Sequence, residues 1–236
     1  MYLGGKSRLA KSFAWLLQAE IDAGRPTFVE PFVGACNVLP VLKVPSGCRV
    51  ILNDAHEGLV GMWRALRDGE WSPPHVDEAT YDTLRRVGDM MDPDTVFAAF
   101  GASFAGKCWG GFARGRKTNR DYAAESSRAT LRKRPYLKGA SLHAGDYRET
   151  PIPDGAVVYC DPPYAGTTGY THTTCAREFW AWCEGLVARG CAVFVSEFDC
   201  PVGWVSPWSL PRRVTASLGV GCAVVERVYA RGTFLA

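Results

Sequence analysis

An unbroken apolar run, Ala156-Val157-Val158-Tyr159-Cys160, ends abruptly in Asp161-Pro162-Pro163-Tyr164. The run reads as a buried β-strand, and the two prolines stop it, because each fixes φ and lacks an amide donor for a ladder. The Asp161 carboxylate and the carbonyls before each proline are thereby held at the carboxyl end of a strand, where open α/β sheets place ligands. What results is a rigid, acceptor-rich pocket with the Tyr164 ring at its edge.

The rest of the chain supplies an alternation to match. Leu9, Phe13, Leu16 and Leu17 fall on one helical face, which Gly24 and Pro26 end. Thr27-Phe28-Val29 is a short strand that leads through Glu30-Pro31 into the turn Phe32-Val33-Gly34-Ala35, and a strand followed by a small-residue turn is how cofactor crevices open. Arg49-Val50-Ile51-Leu52 predicts a second strand with Asn53-Asp54 at its end, and Leu59, Met62, Trp63 and Leu66 a second helix. After about residue 142 the alternation resumes, with a helix carrying Phe179, Trp182, Cys183, Leu186 and Val187, and strands at Cys191–Val195 and Ala223–Tyr229. Strands alternating with helices predict an α/β, doubly wound sheet. Between residues 70 and 141 polar residues dominate and strand signals fade, which predicts a mostly helical insert. The expected division is a sheet domain of residues 1–69 and 142–236, interrupted by a second domain of residues 70–141.

Charge singles out the same insert. From Lys107 to Lys138 ten basic residues face two acidic ones, a balance of +8 within a chain of net charge +3, which leaves −5 for the rest. A basic stretch on a mildly acidic protein is the distribution expected where a polyanion docks. Trp109, Phe112 and Tyr122 are interleaved with it and offer stacking faces for bases, and Lys107, Arg114, Arg116, Lys117 and Arg120, in or beside a glycine-rich loop, are the candidate phosphate ligands.

Other classes are disfavoured. No stretch approaches the length of an apolar membrane span and the N-terminus has no apolar signal core, so a cytoplasmic protein is expected, with no membrane association and no obligate protein partner. The nine cysteines contain no pair spaced for zinc, several of them sit inside apolar runs where reduced core residues are expected, and the four histidines suggest neither metal nor triad.

The Asp161 motif suits an amino group on an aromatic ring. Asp161 and the Pro162 carbonyl can each accept a hydrogen bond from the amine, and Tyr164 can stack on the ring. Such bonds expose the nitrogen lone pair to an electrophile, so orientation supplies much of the catalysis.

In its ordered motifs the chain resembles the Dam-type (D12 class) DNA adenine methyltransferases. Tyr2-Leu3-Gly4-Gly5-Lys6 is similar to that family's opening aromatic-x-Gly-Gly-Lys, Phe28 to Gly34 to its cofactor loop, and Leu52-Asn53-Asp54 to its ribose-side acid. Gly145-Asp146-Tyr147 is similar to its adenosine-contacting segment, and Asp161 to Tyr164 to its catalytic DPPY motif. The resemblance implies a Rossmann-like methyltransferase sheet with an inserted target-recognition domain, S-adenosylmethionine as cofactor, and double-stranded DNA as partner. It implies methyl transfer to the 6-amino group of a flipped-out adenine, with Asp161, Pro162, Pro163 and Tyr164 catalytic. Tyr2, Lys6, Glu30, Phe32, Gly34, Asp54, Asp146, Tyr147 and Asp161 are the implied cofactor residues. Cys36 departs from the pattern, standing where the family often has a second glycine. The alternatives are a cytosine 4-amino methyltransferase and a non-catalytic DNA-binding protein with a degenerate cofactor site.

Overall fold

The computed structural model describes residues 6, 9–115, 120–163, 175–215 and 221–233, with backbone alone at 212–215 and 221–223. Seven strands form one mixed sheet: β1 (Thr27–Glu30), β2 (Arg49–Asp54), β3 (Ser141–Ala144), β4 (Val157–Cys160), β5 (Ala192–Ser196), β6 (Val205–Thr215) and β7 (Gly221–Arg231). Their order is β3-β2-β1-β4-β5-β7-β6. Strands β1, β4 and β5 run parallel, with Phe28 opposite Val157 and Val158 opposite Val193, whereas β7 lies antiparallel to both β5 and β6. The fold is therefore α/β, as the alternation predicts.

The strands legible in the sequence are those buried throughout. Every residue of β1, β4 and β5 is buried, so their apolar runs are unbroken. Two strands carry no such signal. β3 is four residues long, and β6 contains Pro207 and Pro211; both are at the sheet's edges, where short strands and missing amide donors are tolerated.

The described α-helices are α1 (Ala10–Asp22), α2 (Glu57–Asp68), α3 (Glu78–Val87), α4 (Pro93–Gly101), α5 (Tyr122–Leu131), α6 (Arg134–Leu137) and α7 (Ala176–Ala188). None is long and apolar enough to cross a membrane. The chain clusters into two compact units, the first comprising Met1–Ala10, Val33–Val41 and Leu52–Thr150, the second Lys11–Phe32, Leu42–Ile51 and Pro151–Ala236.

In the first unit, helix starts are set by side chains that accept orphan amides: His56 from Leu59, Asp77 from Thr80, Asp92 from Asp94 and Thr95, and Asp121 from Ala124. Leu59, Val60, Met62, Trp63 and Leu66 of α2 are buried, as is α4 from Val96 to Phe100. Gly58 permits the close approach of the chain before α4, since a Cβ there would stand 1.7 Å from the Met90 carbonyl oxygen.

In the second unit, Phe13 of α1 stacks on Tyr159 of β4 at 5.3 Å, and the Tyr159 hydroxyl pairs with Ser196 of β5 at 2.8 Å. Burial and the Asp161 carboxylate raise the Tyr159 phenol well above its usual pKa, so it stays neutral. Cys36 in the first unit and Cys160, Cys183 and Cys191 in the second are buried free thiols, as expected of core cysteines. Arg25 ties four segments of this unit together. Its guanidinium donates to the buried Glu20 carboxylate at 2.7 Å and to the carbonyls of Gly155 (3.0 Å), Gly190 (2.7 Å) and Gly232 (3.0 Å). Arg25→Met removes all four bonds and leaves Glu20 without its guanidinium inside the fold. We expect a loss of about 3 kcal/mol in unfolding free energy, read by urea denaturation; a loss below about 1 kcal/mol would show the pair to be a surface ornament.

Candidate active site

In the first unit, three strand-end segments converge. The turn at Val33–Cys36 is closed by the Cys36 amide donating to the Val33 carbonyl at 2.7 Å, and the Val33 amide donates to Asn53 O at the end of β2 (2.8 Å). Asp54 uses both carboxylate oxygens on backbone: Oδ2 accepts from the Gly34 amide at 2.8 Å and Oδ1 from His56 at 3.0 Å. The loop after β3 is drawn in by Gly145, whose amide donates to Asp54 O (3.0 Å) and whose carbonyl accepts from Asn53 Nδ2 (3.1 Å). Gly34, Asp54 and Gly145, which are far apart in sequence, are thus joined through direct hydrogen bonds.

The turn is left-handed at two positions, Gly34 with φ +44° and Cys36 with φ +50°. A side chain in that region costs roughly 1–2 kcal/mol, which explains why a glycine suits position 36 and why Cys36 needs support from its surroundings. Two residues grip the turn's carbonyls. Trp63 Nε1 donates to Gly34 O at 2.9 Å, and Lys133 Nζ donates to Ala35 O and to Asn37 Oδ1 at 3.2 Å, while lying 5.4 Å from the Trp63 ring centroid. Sequence reasoning missed both roles. Trp63 reads as one of several apolar residues on a helical face, and Lys133 sits in an Arg-Lys-Arg run that resembles a solvated surface, 98 residues from the carbonyl it holds.

Of the other implied cofactor residues in this unit, Lys6 is buried, and its carbonyl accepts from Leu9 and Ala10 to start α1. Tyr147 is also buried. Asp146 is engaged on both oxygens by Arg148, at 2.8 and 2.9 Å, and also accepts the Arg148 amide.

In the second unit, the strand order reverses between β1 and β4, whose carboxyl ends lie side by side. That is where doubly wound sheets bind ligands. Glu30 closes β1 and is buried; Asp161 follows β4 half-buried, with Pro162 buried behind it. Both carboxylates act on the Tyr159 phenol, the Asp161 charge more strongly than that of Glu30. Phe32 meets Phe179 of α7 edge to face at 5.9 Å. The implied residues Tyr2, Tyr164, Arg116 and Lys117 lie outside the described residues.

The candidate phosphate ligands differ in their surroundings. Lys107 is exposed, whereas Arg114 is held by both oxygens of Glu78, and Arg120 by both oxygens of Glu125 while capping the Tyr122 ring at 4.9 Å. Net charge along the sequence therefore overstates the positive charge that two of these side chains present. An open cleft beside them is lined by Tyr81, Arg85, Phe104, Phe112, Glu78 and Arg114. Phe104 is 68% exposed. No group of three metal-ligating side chains occurs among the described residues.

A parallel core with carboxylates at its strand ends is the arrangement of doubly wound α/β folds, which place ligands there. Residues 2–95 match the family model of the D12 class N6 adenine-specific DNA methyltransferases. No curated protein matches the chain. Among solved structures it is similar to PH1948 of Pyrococcus horikoshii, assigned as an RNA methyltransferase, with 10% identity over 94% of this chain and 79% of that one, TM-score 0.43. It is also similar to yhhF of Escherichia coli, assigned as a methyltransferase, with 11% identity over 98% and 88% of the two chains, TM-score 0.37. A third, the methylase-assigned HI0767 of Haemophilus influenzae, has 12% identity over 97% and 90%, TM-score 0.32.

Proposed function

We propose that the chain transfers a methyl group from S-adenosylmethionine to the 6-amino group of an adenine in double-stranded DNA. The observation that carries this reading is the hydrogen-bonded gathering of Gly34, Asp54 and Gly145 at strand ends, within the first unit. Most of that gathering falls inside residues 2–95, the part matched by the adenine-methyltransferase family model.

The residues fit an adenosyl cofactor. Asp54, tied to Gly34 and to the Gly145 loop at the strand ends, is proposed to meet the ribose hydroxyls with its carboxylate. Asp146 and Tyr147 flank the same segment and are proposed to contact the adenosine, with Lys6, Glu30, Phe32 and Gly34 completing the binding set together with Tyr2. When bound, S-adenosylmethionine supplies an electrophilic methyl on a sulfonium.

The protein's task is then to present an amine. Asp161 and the Pro162 carbonyl accept its two hydrogens, which favours the nitrogen geometry that exposes the lone pair. Tyr164 is proposed to stack on the base and Pro163 to keep the motif rigid. Because an amine inside a duplex is unreachable, the adenine is extruded first, at a cost of a few kcal/mol offset by stacking and hydrogen bonding in the pocket. Residues 70–141 are proposed to grip the DNA, with Lys107, Arg116 and Lys117 as phosphate ligands and Arg114 and Arg120 available once released from Glu78 and Glu125.

A binding protein with a degenerate cofactor site is the competing class, and the departure at Cys36 is the feature that favours it. That residue adopts the left-handed conformation of the turn despite its side chain, which supports an intact cofactor loop. Titration calorimetry with S-adenosylmethionine separates the two classes. We expect saturable one-site binding, and no heat of binding would overturn the enzymatic reading.

A further inference from the structure

We propose that Lys133 is a positioning residue for the cofactor turn, offsetting the strain at Cys36 and thereby setting affinity for S-adenosylmethionine. This inference rests on the reading of Val33–Cys36 as the cofactor loop.

A left-handed non-glycine residue persists where the surrounding structure over-determines it. Here the determination is visible. The Gly34 amide is fixed by Asp54, the Gly34 carbonyl by Trp63, and the carbonyl of Ala35, which forms the peptide bond entering Cys36, by the Lys133 ammonium. Rotation of the Ala35–Cys36 peptide out of the left-handed form would swing that carbonyl away from Lys133. The ammonium also bonds Asn37 Oδ1 just beyond the turn, so Lys133 brackets Cys36 from both sides. Its position is itself fixed, since the stem is half-buried and the ammonium lies over the Trp63 ring at 5.4 Å. The same lysine joins α5 to α6 in the basic segment, so one residue of the segment proposed to meet DNA serves the cofactor loop instead.

Charge and strain make separable predictions. Lys133→Met keeps the stem and removes the donor; Lys133→Arg keeps a charged donor. Cys36→Gly removes the conformational cost that Lys133 is proposed to offset. Calorimetry with S-adenosylmethionine on the full chain should show Lys133→Met raising Kd about tenfold and Lys133→Arg raising it about threefold or less, the loss expected for one charge-assisted hydrogen bond. In a Cys36→Gly background the effect of Lys133→Met should shrink to about threefold or less, because glycine holds the turn without help. Steady-state rates should show KM for the cofactor rising with kcat, at saturation, altered far less. A purely structural role would instead lower the melting temperature and the active fraction while leaving Kd in place, and that result overturns the proposal. So does an equal effect of Lys133→Met in both backgrounds. Should the wild type itself fail to bind S-adenosylmethionine, the cofactor reading falls and the proposal with it; binding by the wild type that Asp54→Ala loses and Lys133→Met retains overturns the proposal alone.

Discussion

Asp161→Ala is expected to lower kcat for methyl transfer about ten-thousandfold while leaving the fold intact, the scale on which removal of a positioned electrostatic partner and of substrate orientation combine. The carboxylate stands just past β4, half-buried, where the two following prolines leave it no freedom to move along the chain. An alanine there offers the amine no acceptor. The strand itself should survive, because its four residues are buried in register with β1 and β5. Asp161→Asn keeps an acceptor oxygen but loses the charge and is expected to fall between the wild type and alanine. Single-turnover rates at saturating cofactor read this out, and a loss below about tenfold for alanine would remove Asp161 from the chemistry.

Asp54→Ala carries the second large effect, on binding. Its carboxylate accepts the Gly34 and His56 amides, so its loss frees the Gly34 amide, leaves the turn tied to β2 through the Val33–Asn53 backbone bond, and takes away the acceptors proposed for the ribose. Two charge-assisted bonds at roughly 1.5–3 kcal/mol each predict a Kd for S-adenosylmethionine raised about a thousandfold. Asp54→Asn retains one acceptor oxygen and should recover part of that loss. Calorimetry under saturating protein decides it; a Kd within about threefold of the wild type would assign Asp54 a structural role alone.

The two aspartates were legible in the sequence for the same physical reason. Each ends a buried strand, and burial writes an unbroken apolar run that stops where the strand leaves the core. The edges of the sheet write nothing comparable. Pro207 and Pro211 mark β6 as a loop to any reading of propensity, yet as an edge strand paired only with β7 it has a side on which missing amides cost nothing. Long-range polar contacts are equally silent. Nothing near Lys133 in the chain distinguishes it from Arg132 and Arg134, and only the fold brings it to Ala35 and Asn37. The same blindness affects charge: Arg114 and Arg120 count as two positive charges in sequence, but Glu78 and Glu125 hold them in the structure. Cys36 is the converse case: it departs from the family's pattern at a position whose φ of +50° is the left-handed conformation that a glycine adopts without cost.

Incubation of unmethylated DNA with methyl-labelled S-adenosylmethionine, followed by nucleoside analysis and single-molecule mapping, tests the central claim most directly. The wild-type chain is expected to yield 6-methyladenine at a short fixed motif, and Asp161→Ala to yield none. Methylcytosine as the sole labelled nucleoside would contradict the assignment of the target, and label incorporated equally by both proteins would contradict the assignment of Asp161.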